Sequence, residues 1–583
     1  MSGTVQSNLL FARVVLAALP LLVPGSLARA QDDPDFPRSV PTKTGVVILY
    51  EPQFDSWSGD IVKGRAAVSF ERKKKDPLFG TVWLTAQIGT DRDAAVATIL
   101  SATVDQVRFH DVTPRLEARL RKVIAAEVPT WKITIPLGRL RAELATVERE
   151  KRAADAFGTD PPKILVVNEL AVLILVDGEP VLKGVPGTDL KTVVNSPFAL
   201  VFDPGSRTYY TSSGDFWYAS SSLTGDWTTI PAPPTAVAHL AERVRRPSPE
   251  KSAKVDGAKV TGPVKVVVST EPTELLSFDG EPSYVPVPGT DLLYAKNSER
   301  DVFQLTSTRE TFVLLSGRWF KSRSLAGPWT WVAADNLPPD FARIPPGSEK
   351  ANVRTFVAGT EEAQEALLDA EIPQTTAVKR SGVTLLVGYD GAPRFEAIPG
   401  TKLAHALNAS TQVLGSGGKF YACDQGVWFV SDQPTGPWAV ATARPDDVDA
   451  IPPSSPAYNT KFVTIYGSTP EVVTVGYTPG YVGCYPWGPT IVYGTGWSYT
   501  PWIGAHYFPR PYTYGLSVGY DPSTGWTHGV TYSTGFVTFS LGWASGDFWG
   551  PPPPFFPPPH YWGWWGWGGY HPCLLYTSPS PRD

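Results

Sequence analysis

Six tryptophans stand at matched positions in this chain, and an exposed indole face is a surface on which a sugar ring can stack. Trp217, Trp319 and Trp428 are each followed directly by an aromatic residue (Tyr218, Phe320, Phe429). A Ser comes three positions after each, a Gly eight after, and a second Trp (Trp227, Trp329, Trp438) ten after. Aromatic walls with a few polar groups suit ligand recognition. The candidate platforms are Trp227, Trp329 and Trp438, with Tyr218, Phe320 and Phe429 as neighbours. The second Trp of each motif follows Gly-Asp or Gly-Pro, turn chemistry that leads into another strand near a module edge. The first lies within a strand, where adjacent rings must point to opposite faces, and is expected to be the more buried. The competing reading packs all six rings into cores, with each second Trp returning near the first.

Other chemistry is thin. Asp177, Asp279 and Asp390 recur 40, 40 and 38 residues before the first Trp of each motif. A glycosidase needs two carboxylates on one cleft, but the Asp-Gly context of these three reads better as hairpin turns. The chain has no Gly-x-Ser-x-Gly, His-Glu-x-x-His or Cys-x-x-Cys. "GSGGKF" from Gly415 differs from a phosphate loop, because Phe420 stands where Ser or Thr is needed. His405, His506 and His528 have no ligand spacing. We therefore assign no catalytic residue, no metal and no cofactor, and read the chain as non-enzymatic.

The elements that must carry these motifs are mainly β. "KILVVNELAVLILVDGEPVLKGVPGTDL" from Lys163 is matched by "KVVVSTEPTELLSFDGEPSYVPVPGTDL" from Lys265 and "VKRSGVTLLVGYDGAPRFEAIPGTKL" from Val378. Three blocks follow, over residues 163–240, 265–346 and 376–453. Within one, eight short runs ("KILVV", "AVLILV", "PVLKGV", "KTVVNS", "FALVFD", "TYYTS", "DFWYAS", "WTTI") read as strands between turns. Eight equals two four-stranded blades, so three repeats could close a six-bladed propeller. Charged linkers between the blocks speak for separate modules instead. "EEAQEALLDAEI" from Glu361 is the best helix candidate between them.

Ahead of the blocks, residues 41–158 read as an α+β domain. "GVVILY" and "TVWLTAQI" suggest strands, Thr113-Pro114 opens one helix, and Leu137, Leu140, Leu144 and Val147 stripe a second. Arg72–Lys75 reads as a solvated loop. Behind the blocks, residues 462–545 carry almost no charge. Tyr514–Tyr520, Trp526–Tyr532 and Val537–Trp543 alternate strictly, which predicts an aromatic β-meander. An outer-membrane barrel alternates similarly but needs more strands. Residues 546–572 are Pro/Trp/Gly-rich and low in complexity, and their aromatics would make this stretch adhesive towards a membrane or partner.

Composition and the two ends bound location. Residues 1–30 show Arg13, the apolar "VVLAALPLLV" and "ARA", the pattern of a secretory signal. The apolar run is short for a membrane anchor. Residues 573–583, "CLLYTSPSPRD", match the translation of a transposase-type sequencing adapter codon for codon. They are expected to be a library scar, with the native chain continuing past Pro572. The net charge of −5 argues against nucleic acid as the main partner. Cys423 and Cys484 could pair in an oxidising compartment or stay buried as free thiols.

With these residues in view, the chain resembles exported bacterial proteins of the carbohydrate-binding family V/XII type, from about Val46 to Trp543. The likeness rests on "YEPQ" at Tyr50, the Asp-Gly-x-Pro and Pro-Gly-Thr pairs, the Trp motif and "GYTPGY" at Gly476. It implies sugar binding by aromatic side chains on small β-modules in the periplasm, at the outer membrane or outside the cell. The partner would then be a polysaccharide or an envelope component. A structural or assembly role in the envelope without a sugar ligand is the alternative, and a propeller-type glycosidase the third reading.

Overall fold

The computed structural model describes most of residues 36–244 and 263–501, residue 504, and the segments Ser517–Asp521, Gly525–Gly529 and Ser533–Thr534. The signal-like segment, the third expected strand of the meander, the low-complexity tail and residues 573–583 lie outside the described residues. The chain is mainly β, with strand exceeding helix by 42% to 16%.

Residues 38–154 hold a seven-stranded antiparallel sheet. Its pairing is carried by three long strands, Ile61–Arg72, Lys75–Asp91 and Val96–Phe109. Register shifts between Trp83 and Leu84 and between Gln87 and Ile88 mark bulges, which bend strands and increase twist. The sheet curls as a half-barrel. Helices α1 (Pro114–Glu127) and α2 (Leu137–Ala154) lie where the apolar spacing puts them. Leu120, Ile124, Leu137 and Leu140 join Val82, Leu84 and Ile99 in one core. Of the basic run expected as a loop, Arg72 ends one strand and Lys75 begins the next, and the two pair with each other.

Each of the three blocks contains a six-stranded antiparallel meander in sequential order. The first runs from Leu182–Gly184 to Thr228–Ile230, the second from Tyr284–Pro286 to Thr330–Val332, the third from Phe395–Ala397 to Ala439–Val440. All eight strands read from the first block are present, but they do not divide into two four-stranded blades. Six form the meander, and the two leading strands pair outside their own block. Lys163–Val167 runs parallel to Thr273–Ser277 of the second block. Ala171–Leu175 runs parallel to Lys265–Ser269. The first and second blocks thus exchange their leading strands reciprocally. Val167, Ala171, Leu173 and Leu275 form a small core at this exchange.

The third block differs. Its leading strand, Gln374–Lys379, pairs antiparallel with Val472–Tyr477, which continues to Val463–Ser468. Residues 463–493 pack into one core with the second and third blocks, through Trp319, Phe341, Trp428, Tyr458, Tyr477 and Tyr485. The stretch read as a single meander therefore divides: its first part is core, and Ser517–Asp521 with Gly525–Gly529 forms a separate hairpin. Helices α3 (Thr235–Val244) and α4 (Glu361–Ala370) follow the first and second blocks. The Thr360 hydroxyl accepts from the Ala363 amide to cap α4. Glu365 in the middle of α4 and Glu371 just after it accept from Arg108 and Trp83 of the N-terminal sheet. Cys423 and Cys484 are both buried and are not joined to each other. No helix among the described residues is long and apolar enough to cross a membrane.

Candidate functional site

The Trp motif lies on the fifth strand of each meander, Phe216–Ser220, Arg318–Ser322 and Val427–Ser431. Strand alternation sends neighbouring rings to opposite faces. Trp217 packs against Val185, Leu190 and Tyr210, whereas Tyr218 enters a core with Val172, Ile174 and Val266. Trp319 joins the large central core, and Phe320 a second one with Leu276 and Val302. Trp428 and Phe429 both belong to the central core. Trp319 and Trp428 are 1% and 0% exposed. Their indole N–H groups donate to the carbonyls of Phe356 (2.8 Å) and Val463 (3.0 Å). These bonds spare Trp319 and Trp428 the cost of an unpaired polar group in the interior, whereas the indole nitrogens of Trp329 and Trp438 are buried without a partner among the described residues.

The expected exposure of the second tryptophans does not hold. Trp329 and Trp438 are buried. Trp329 packs beside Phe320 and not beside Trp319. Trp227 packs beside Tyr218 and is half-buried, its N–H donating to the Leu223 carbonyl at 3.0 Å. The reason lies in the turn. Gly327 and Gly436 have φ of +87° and +95°, and a Cβ there would come within 3.1 and 2.9 Å of the Trp329 and Trp438 rings. The ring folds back over its own Gly-Pro turn onto the sheet. Tyr218, Phe320 and Phe429 are buried as well. Of the six candidate platforms, Trp227 alone keeps a partly open ring.

The polar members of the motif are equally committed. Asp177, Asp279 and Asp390 sit at turns whose next residues, Gly178, Gly280 and Gly391, have φ near +78°. Each turn is tied down by an asparagine that the sequence reading did not single out. The Asn195 amide donates to the carbonyls of Asp177 and Glu179, and its Oδ1 accepts from the Val181 amide. Asn297 does the same for Asp279, Glu281 and Ser283, and Asn408 for Asp390, Ala392 and Arg394. An Asn eighteen residues after each Asp was a readable signal. In Pro-Gly-Thr, the hydroxyls of Thr188, Thr290 and Thr401 donate to the carbonyls of Val185, Val287 and Ile398. The motif serines Ser220, Ser322 and Ser431 accept from the amides of Ser222, Ser324 and Gln433. These are local side-chain turns.

The charged groups with displaced titration serve structure. The Asp291 amide, 2.8 Å from Asp340, holds that carboxyl below its ordinary range against burial, with Arg343 adding to the effect. Burial pushes Glu362 up, but hydrogen bonds from Arg354 and from the main chain outweigh it and leave the carboxyl low. Burial pushes the Cys484 thiol and the Tyr485 phenol well up. The buried Arg318 donates to the carbonyls of Tyr493 and Gly494, both at 2.9 Å, and lies over Trp487. It anchors residues 493–494 to the second block. No group of three His, Cys, Asp or Glu among the described residues could hold a metal ion.

Aromatic surface remains elsewhere. Trp497 is 40% exposed. Trp331 and Trp487 are partly exposed and stack with centroids 5.3 Å apart. No protein-family model, curated protein or solved structure matches the chain.

Proposed function

We propose that this chain is an exported, non-catalytic structural or assembly protein of the cell envelope, built from three copies of one β-unit. The observation that carries the reading is the fate of the repeated motif. Its rings enter cores, and its Asp-Gly, Thr, Ser and Asn groups close turns, so the repetition serves folding. The matched meanders support three tandem units, the first two clasped by strand exchange, over a six-bladed ring. Export follows from the signal-like residues 1–30 and from the family resemblance. The aromatic tail is then a candidate contact with a membrane or an envelope partner.

A pull-down of the chain from Gln31 on chitin, cellulose and peptidoglycan tests this. The expected outcome is no retention on chitin or cellulose. Retention that survives heat-stable surface variants but is lost in Trp331→Ala, Trp487→Ala or Trp497→Ala would revive the sugar-binding reading. The stacked Trp331–Trp487 pair and exposed Trp497 are what favour that second reading, at a site outside the repeated motif.

A further inference from the structure

The third block carries an apolar segment that its two sister blocks bury. Aligned on the Asp-Gly turn, Leu386 corresponds to Leu173 and Leu275. Leu275 is 0% and Leu173 is 7% exposed, whereas Leu386 is 88% exposed. The difference follows from pairing. Leu275 lies opposite Leu165, and Leu173 opposite Val267, because the first and second blocks lend each other their leading strands. Three blocks leave one without a sister. Residues 385–388 keep the sequence Leu-Leu-Val-Gly and join no strand among the described residues. Leu385 is turned into the central core and Val387 packs against it. The Gly388 amide donates to the Ser410 hydroxyl at 2.8 Å while the Ser410 amide donates to the Gly388 carbonyl at 2.8 Å, so Leu386 is the side chain left outside.

We propose that residues 385–388 are a self-association site, covered by the third block of a second copy of this chain. The occupant follows from the molecule's own precedent. In the first two blocks this segment lies beside a leading strand of the other block, through main-chain pairing and a small leucine and valine core, and in the first block Ser533–Thr534 pairs along its other edge. An unpaired run of apolar residues presents N–H and C=O groups that template pairing with another chain. A two-fold pair of third blocks closes the contact and leaves no further copy to add. No charged residue lies within 385–388 to oppose it. This inference rests on the equivalence of the three blocks proposed above.

The test is the mass of the full secreted chain by light scattering and sedimentation over a concentration series. Wild type is expected to dimerise. Leu386→Asp should weaken the dimer by about tenfold or more, since an interface anchor is replaced by a charge, with an unchanged melting temperature because the side chain is exposed in the monomer. Leu100→Asp, at a 64% exposed leucine in the N-terminal sheet, is the control and should leave the dimer intact. Wild type that stays monomeric throughout overturns the proposal. So does a dimer indifferent to Leu386→Asp, or one broken equally by Leu100→Asp. Block equivalence is read separately, from the stability of the asparagine variants described below, so the two ideas can fail independently.

Discussion

The first and second blocks carry the same Trp motif at different depths. Trp319 is enclosed and its N–H is bonded to Phe356, in the short helix Ala351–Phe356 that follows the second meander. Trp428 is enclosed in the same way by Val463, directly after the helix Tyr458–Phe462. The first meander is followed instead by α3, and Trp217 packs on Val237 and Leu240 while staying half-buried. The strand, the register and the neighbouring aromatic agree in all three. What differs is the segment that comes next and whether it offers a carbonyl to the indole. Local pattern sets which face a ring takes, and the following chain sets how deep it lies.

Truncation should expose that contrast most strongly. Trp319→Ala and Trp428→Ala are expected to cost about 3–5 kcal/mol, the range for a large aromatic removed from a packed core. Trp217→Ala should cost clearly less. Thermal or urea unfolding of the three variants checks the order. Equal losses at all three positions would mean that the following segment does not matter. Trp329→Ala and Trp438→Ala are also expected to destabilise, contrary to what exposed platforms would do.

The asparagines come next in size and test whether the blocks are equivalent. Asn195 and Asn408 are fully buried, whereas Asn297 is partly open. Each makes three hydrogen bonds to its turn. Replacement by Ala removes them and leaves buried carbonyls unpaired, for about 2–3 kcal/mol at Asn195 and Asn408. Asn297→Ala should lose about 1 kcal/mol less, because water can reach the freed groups. A variant at any of the three with no measurable loss would separate that block from the others.

Much of this was legible in the residues and some was not, for identifiable reasons. The strands of the first block, α1, α2 and α4 follow from apolar period and caps, which are local signals. Asp-Gly and Gly-Pro marked turns correctly, since positive φ and close ring approach demand glycine there. The burial of Trp329 and Trp438 was missed because a turn signal says that the chain reverses and not onto which face the next ring falls. The strand exchange was invisible, as parallel pairing between segments about a hundred residues apart leaves no local trace. Arg318 carried no signal in the sequence, because only the fold brings the carbonyls of Tyr493 and Gly494 to it.

A smaller test replaces the indole nitrogen alone. Trp319→Phe keeps most of the apolar ring but leaves the Phe356 carbonyl without its donor. The expected cost is about 1–2 kcal/mol from the unpaired group and the lost ring volume together. Trp217→Phe should cost less, because the first block encloses its ring less completely. Similar losses at the two positions would assign the difference in depth to packing and not to the carbonyl offered by the helix.

The smallest effect concerns how the following loop is pinned to the second meander. Asp340 accepts from the Asp291 amide and from Arg343, and in the third block Asp447 accepts from the Lys402 amide at 3.1 Å. The folded carboxyl of Asp340 titrates below its unfolded value, chiefly through the Asp291 amide. A depressed carboxyl stabilises the fold above its unfolded pKa, near 3.8, and that contribution disappears as pH falls through the lower folded value. Asp340→Asn keeps an acceptor for the amide but loses the charge, so at pH 7 the loss should be about 1 kcal/mol or less. Arg343 is mostly exposed, and its share of that is small. As pH falls below about 4, wild type should lose this increment while Asp340→Asn does not, and the two unfolding curves should converge. A gap that stays constant from pH 7 to pH 3 would show that the carboxylate charge has no part in holding the loop.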